Sequence, residues 1–429
     1  MAPDTEAATF TKDSGYAWII LLCSSLTRMI DTVLFVTFGI FILEFMEYFH
    51  LDKAFSITSV VSCYFFTFAI TGLVGGFAIK KCGVRPVMIV GTSINVLMLL
   101  ASGTFPYIWL IAISFATMGA GSQLVVQGTV VMTQTYFDKR RSLASGVLMG
   151  GISLGTFIWP PFVRYLIDTY TWRGAYYIVA GITAQIFVLI SLLRPPPSSV
   201  APKTNQKEQT EELNDTSSSN KCQKWLQFEY FIWILYIICF IAQCAPHFVP
   251  MSYYPMKGKE DGTEKHLIPI PVSVYGGLGL VTRPLAGIIT DRFNNRIGVA
   301  ILALFICGTI LIVTALVHTF VLLLMLAISI GIFQSFYMGT AYAQWVDVFG
   351  LENIALGSGL GGFAIGISSV ILHPIAGKLV DLTGNTNTLF FVFGGVQIIS
   401  GILLLVVKFL LKYKQNLKQE ERHSDFVLS

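Results

Sequence analysis

From Pro86 to Phe137 the chain carries no charged side chain. An uncharged, largely apolar run of that length is too long for one membrane-crossing helix, which needs about 20 residues, and Phe105-Pro106-Tyr107 is its natural break. Similar runs recur along the sequence. The runs predict twelve spans: Tyr16–Phe45, Phe55–Ile79, Pro86–Phe105, Tyr107–Thr135, Ser142–Val163, Gly174–Leu193, Phe228–Pro250, Ile268–Ile289, Ile297–Val317, Thr319–Val346, Ile354–Gly377 and Thr388–Leu411. Charged residues make up 12% of the chain, about half the share of a soluble domain, so the net charge of +4 does not signal nucleic-acid binding. The expected fold is an all-α membrane protein, because lipid leaves an open backbone no hydrogen-bond partner.

Basic residues assign the sides. Alternate connections and both tails hold nineteen Lys and Arg, and the opposite connections hold seven, which predicts cytosolic N- and C-terminal tails. The chain then divides into a tail (1–15), six spans (16–193), a polar linker (194–227), six more spans (228–411) and a second tail (412–429). The linker opens with Pro195-Pro196-Pro197 and is rich in Ser, Thr, Asn, Gln, Lys and Glu, a composition that predicts disorder. A glycosylation sequon at Asn214-Asp215-Thr216 falls on the side predicted to be cytosolic, so its use is not expected. The N-terminal segment lacks the shape of a signal peptide, so the first apolar run is expected to remain in the mature chain. Seven cysteines, odd in number and mostly inside apolar runs, suggest neither a disulfide framework nor metal ligation.

The two sets of six spans echo one another. Ala144, Gly146, Gly150, Gly151 and Gly155 recur 211 residues later as Ala355, Gly357, Gly361, Gly362 and Gly366, and Gly76 and Arg85 recur as Gly287 and Arg296. Glycines on one face let helices approach closely. A parallel repeat of two six-helix halves is a transporter architecture with its site near midplane between the halves.

Three ionisable residues lie deep inside spans, where a charge is expensive and is by default a functional candidate. Arg283 offers a planar, permanently charged fork suited to a carboxylate. Arg28 and Asp31 are three residues apart on one helical face, as a structural pair or as part of a site. Asp31 is also a candidate for carrying a proton. His247 and His373 lie near the ends of their spans opposite the tails, and Gln123, Gln127 and Gln334 are polar groups able to tune a cavity or to join helices. The sequence offers no nucleophile–base spacing and no phosphate loop, so no enzyme is expected.

Several motifs together resemble the monocarboxylate transporter family of the major facilitator superfamily. They are Asp13-Ser14-Gly15-Tyr16-Ala17-Trp18, the run Tyr136 to Gly146 with its Lys139-Arg140-Arg141 turn, Trp172-Arg173-Gly174, Leu193-Arg194-Pro195, Arg283-Pro284 and Gly377 to Gly384. The resemblance implies a plasma-membrane carrier moving small organic anions by alternating access, without a cofactor. It also implies that Lys139, Arg140, Arg141, Asp291 and Arg292 belong to cytosolic gate or signature turns, and it raises a single-span glycoprotein as partner. Proton-coupled lactate carriers of the family have a lysine at the place of Val36 and an aspartate at the place of Gly279. Their absence keeps open a proton-independent carrier of amino acids or other zwitterions, and a solute sensor that does not transport.

Overall fold

In a computed structural model of the chain, the residues described are 12–37, 40, 41, 44, 45, 48, 49, 54–194, 216–264, 267, 270–293 and 295–428. The long elements are α1 (Gly15–Val36), α2 (Ala54–Cys82), α3 (Val84–Thr104), α4 (Ile108–Tyr136), α5 (Arg141–Leu192), α6 (Thr216–Glu260), α7 (Ile270–Phe293), α8 (Arg296–Leu316), α9 (Phe320–Met338), α10 (Ala341–Phe349), α11 (Ile354–Thr383) and α12 (Asn387–Leu428). Among the described residues there is no strand. Eleven helical stretches among the described residues are long and apolar enough to cross a membrane. One of them, α5, holds two predicted spans, because its helical pattern is interrupted at Thr171 (φ 65°, ψ 169°). The tenth predicted span is also divided, since Gly339 and Thr340 separate α9 from α10.

Several boundaries differ from the sequence expectation: α1 ends at Val36, short of Phe45, and α6 runs past Pro250 to Glu260. The segment 216–227, read as the end of a disordered linker, is the start of α6, and helix also continues through the C-terminal segment to Leu428. Once an adjoining span has nucleated a helix, each further turn adds hydrogen bonds at little cost, so polar composition at its end does not stop it. Residues 195–215, with Asn214 of the sequon, and the His373 side chain lie outside the description.

The burial pattern is that of a bundle in lipid. Phe77, Val74, Leu302 and Phe409 point outward, whereas Gln123, Gln127, Asn95, Ser122 and Thr92 are fully buried. Packing therefore depends on close backbone approach and internal polar contacts. The glycine repeat supplies the approach. A Cβ at Gly151 would strike the carbonyl oxygen of Ser25 on α1, and one at Gly155 would lie 2.7 Å from that of Met29. The same device joins the halves: α5 packs on α7 and α2 on α11.

Both described ends of the chain lie at one end of the bundle, the tail end. The Asp13 carboxylate accepts backbone N–H groups from Asp138, Lys139 and Arg140, Tyr16 donates to the Leu192 carbonyl, and Lys414 of α12 pairs with Glu229 of α6. Since 138–140 and Leu192 both lie there, the chain in α5 travels to the far end and returns, reversing around Thr171.

Candidate functional site

Arg28 and Asp31 sit one turn apart on α1 and are buried, at 8% and 5% relative exposure. Their closest approach is 3.8 Å, from Nη1 to Oδ2, which is a loose pair. Asn95 of α3 donates from Nδ2 to Asp31 Oδ1 at 3.4 Å and to Ser122 Oγ of α4 at 3.3 Å. Tyr64 of α2 completes the polar surroundings of the carboxylate. Arg28 Nε finds no protein acceptor.

Arg283 comes from α7, in the other half. Its Nη1 donates to the carbonyl of Met149 on α5 at 3.0 Å, and its buried Nε has no protein acceptor. Tyr275, Tyr342, His247 and Arg28 lie within its electrostatic reach. The structure thus gathers all three deep ionisable residues around the interface between the halves. Arg28 faces the Asp31 carboxylate, and Arg283, within reach of Arg28, has no acidic side chain beside it among the described residues, so the three carry a surplus of one positive charge in a buried place. A buried unpaired cation is costly and favours the arrival of an anion.

Gly279 stands beside this cation. A Cβ built there would lie 3.3 Å from Arg283 Nε and 2.7 Å from Ser153 Oγ. Val36 is half-buried at the last turn of α1. His247 is buried and its Nδ1 lies 3.0 Å from Tyr275 Oη. The glutamines act as joints between helices: Gln127 Nε2 donates to the Gly72 carbonyl at 2.6 Å, Gln123 packs on Gly362 of α11, and Gln397 donates to Gln334 at 3.3 Å. Among the described residues no group of three or more His, Cys, Asp or Glu is placed to hold a metal ion.

Of the residues expected at a cytosolic gate, Asp291 joins a separate constellation at the tail end. Asp291, near the end of α7, accepts the N–H groups of Ser142 (3.1 Å) and Leu143 (2.9 Å) in the first turn of α5. Such amides have no partner within their own helix and favour a carboxylate. Arg296 adds bonds to Ser142 Oγ and Asp347, each 2.9 Å, and to Asp291 at 3.5 Å. Lys80 donates to Asn353 Oδ1 at 2.9 Å. Positions 80 and 291, like 142 and 353, are 211 apart, so the two links are related by the repeat. Arg141 turns back on Phe137 and Asp138, Arg140 lies 5.8 Å over the Trp18 ring, and Lys139 and Arg292 are exposed.

Sequence reasoning missed Asn95, Ser122, Tyr64, Met149, Ser153, Asp347 and the Lys80–Asn353 link. Asn95 carried a signal, since an amide within an uncharged apolar run needs a partner. Met149 carried none, because its contribution is a backbone carbonyl.

The family model of the Major Facilitator Superfamily matches residues 17–261 and 248–427. The chain is 27% identical to monocarboxylate transporter 12 of Xenopus laevis, over 94% of this chain and 91% of that one. It is 24% identical to monocarboxylate transporter 6 of Mus musculus, over 95% and 90%, and 23% identical to monocarboxylate transporter 2 of Homo sapiens, over 96% and 91%. In structure it is similar to the Major Facilitator Superfamily transporter FucP in the outward conformation, with TM-score 0.69 and 15% identity over 93% of this chain and 99% of that one. It is also similar to the proton:xylose symporter XylE, with TM-score 0.71 and 13% identity over 92% and 96%. Membrane-length helices in two repeated halves and a family match along nearly the whole length agree: the chain is a transporter, not an enzyme, and belongs to the Major Facilitator Superfamily.

Proposed function

We propose that this transporter moves small organic monoanions, monocarboxylates above all, across the plasma membrane by alternating access of its two halves. The observation that carries the proposal is the uncompensated charge between the halves, two guanidiniums against one carboxylate, with a buried Nε unpartnered on each arginine. Arg283 holds the carboxylate, because guanidinium bonds to carboxylates are strong and directional. Arg28 and Asp31 line the same space, and one bound monoanion brings it to neutrality. Asp31 is the group that would carry a proton if transport is coupled to one. The names of the curated relatives support the substrate class.

The excess of Lys and Arg at the tail end favours a cytosolic position for that face. Its links then describe a carrier closed toward the cytosol, consistent with the likeness to FucP in the outward conformation.

A second reading rests on the same geometry. Asp31, held by Asn95 beside Arg28, supplies a negative pole opposite Arg283, and a zwitterion spanning both poles would need no proton. Uptake of a panel of labelled monocarboxylates and amino acids into proteoliposomes, with and without a pH gradient, separates these readings. The monoanion proposal expects carboxylate uptake that Arg283→Gln abolishes. Uptake by that variant at the parent rate overturns the assignment of Arg283, and uptake confined to zwitterions overturns the substrate class.

A further inference from the structure

The anion-binding role of Arg283 does not account for its bond to Met149. The Met149 carbonyl lies inside α5, where the helix provides its own donor four residues on, so it needs no second one. The bond nevertheless crosses from one half to the other. It also sits where the α5–α7 seam changes character. Toward the tail end the helices touch backbone to backbone: a Cβ at Gly146 would strike the Arg283 carbonyl, and one at Gly287 the Ser142 carbonyl. Farther along the seam loosens, with 3.6 Å from a Gly150 Cβ to Pro284 and 3.9 Å from a Gly276 Cβ to Thr156. Gly279 lets the guanidinium lie along this seam, because a side chain there would press on Nε and on Ser153.

We propose that Arg283, beyond the anion-binding role on which this inference rests, clasps the α5–α7 seam shut through the Met149 carbonyl, and that an arriving carboxylate takes the guanidinium off that carbonyl. A carboxylate is a stronger acceptor than a neutral carbonyl already engaged in a helix bond, so the exchange runs toward the anion. An anion meeting the closed seam must break the clasp, whereas one meeting the open seam does not. Binding therefore favours opening at the tail end, by the factor that the clasp contributes to closure. For one hydrogen bond from a charged group that factor is about tenfold.

The test places spin labels at two exposed tail-end positions, one in each half, by Lys139→Cys and Glu352→Cys. Cys63, Cys82 and Cys222 are replaced by serine, and distances are measured on the full chain in lipid nanodiscs. In carboxylate-free buffer the parent is expected to be mostly closed, with the open population about tenfold larger in Arg283→Gln. Millimolar propionate should move the parent the same way and leave Arg283→Gln unchanged. The double variant Gly279→Leu with Ser153→Ala fills the place of the guanidinium while keeping its charge, and should open without propionate. That variant guards against misfolding of Arg283→Gln. Distances in both variants equal to the parent's without carboxylate overturn the clasp. Opening in both variants with no response of the parent to propionate leaves the clasp standing, but overturns the exchange and the carboxylate role beneath it.

Discussion

Replacing Asp291 by asparagine should open the tail end. The carboxylate holds two amides at the start of α5, at 3.1 and 2.9 Å, and a guanidinium nitrogen of Arg296 at 3.5 Å. Asparagine has nearly the same shape and keeps one carbonyl acceptor, so one charge-assisted bond and the ion pair are lost. A hydrogen bond to a charged group contributes about 1.5–3 kcal/mol, and this site is largely shielded, with Asp291 and Arg296 side chains 11% and 14% exposed. The expected loss of about 2 kcal/mol lowers the ratio of closed to open carriers roughly 30-fold. The related link offers an internal comparison. Lys80 meets a neutral amide at an exposed position, so Lys80→Met should cost about 0.5 kcal/mol, roughly twofold. Ser145 is buried three residues after Ser142 on the same face of α5. In a Ser145→Cys background, alkylation by a membrane-impermeant maleimide at the tail-end face reports opening. The reasoning is refuted if Asp291→Asn reacts no faster than its parent, or if Lys80→Met has the larger effect.

Three further outcomes are expected. Gly151→Leu forces a side chain against the Ser25 carbonyl and should lower the stability of the α1–α5 pair by about 1–3 kcal/mol, read as a fall in melting temperature in detergent. Where a pH gradient stimulates anion uptake by the parent, Asp31→Asn should leave uptake indifferent to it, and a retained response would move the proton elsewhere. Asn95→Leu removes the neighbour that orients Asp31 and should slow uptake several-fold with little change in thermal stability, whereas uptake at the parent rate would show that this contact is dispensable.

Much of the fold is legible in the sequence because lipid allows few solutions. Apolar length sets the crossings, the break at Phe105-Pro106 separates α3 from α4, and the 211-residue offset announces the repeat. Thr171 was less legible: Tyr170-Thr171-Trp172 is not a turn signature, and a φ of 65° runs against the intrinsic preference of a β-branched residue. The site was legible in its charges and not in its partners. Arg28, Asp31 and Arg283 stand out as costly residues in apolar runs, but Asn95 beside Asp31, or a carbonyl of α5 beside Arg283, follows from how helices distant in sequence are juxtaposed. Glutamine shows the same limit. Gln123 and Gln127 read equally as cavity or joint until Gly72 and Gly362 are placed against them.

The reversal at Thr171 has a practical consequence for anyone mapping the face of this protein opposite the tail end. Because α5 turns back with helix on both sides, the segment 141–192 offers no extended loop at the far end. Proteases need several residues of extended chain in their clefts, and cleavage concentrates where such chain is available. The exposed Arg164 and the half-buried Arg173 should therefore resist trypsin in the intact protein, with Arg164 further held by Glu44 and Asp168. An epitope inserted at this bend would have to rebuild the bend as well as display itself. The connection after α6, where Asp261 to Glu264 follow the helix and Gly262 is left-handed, is the better place for a tag.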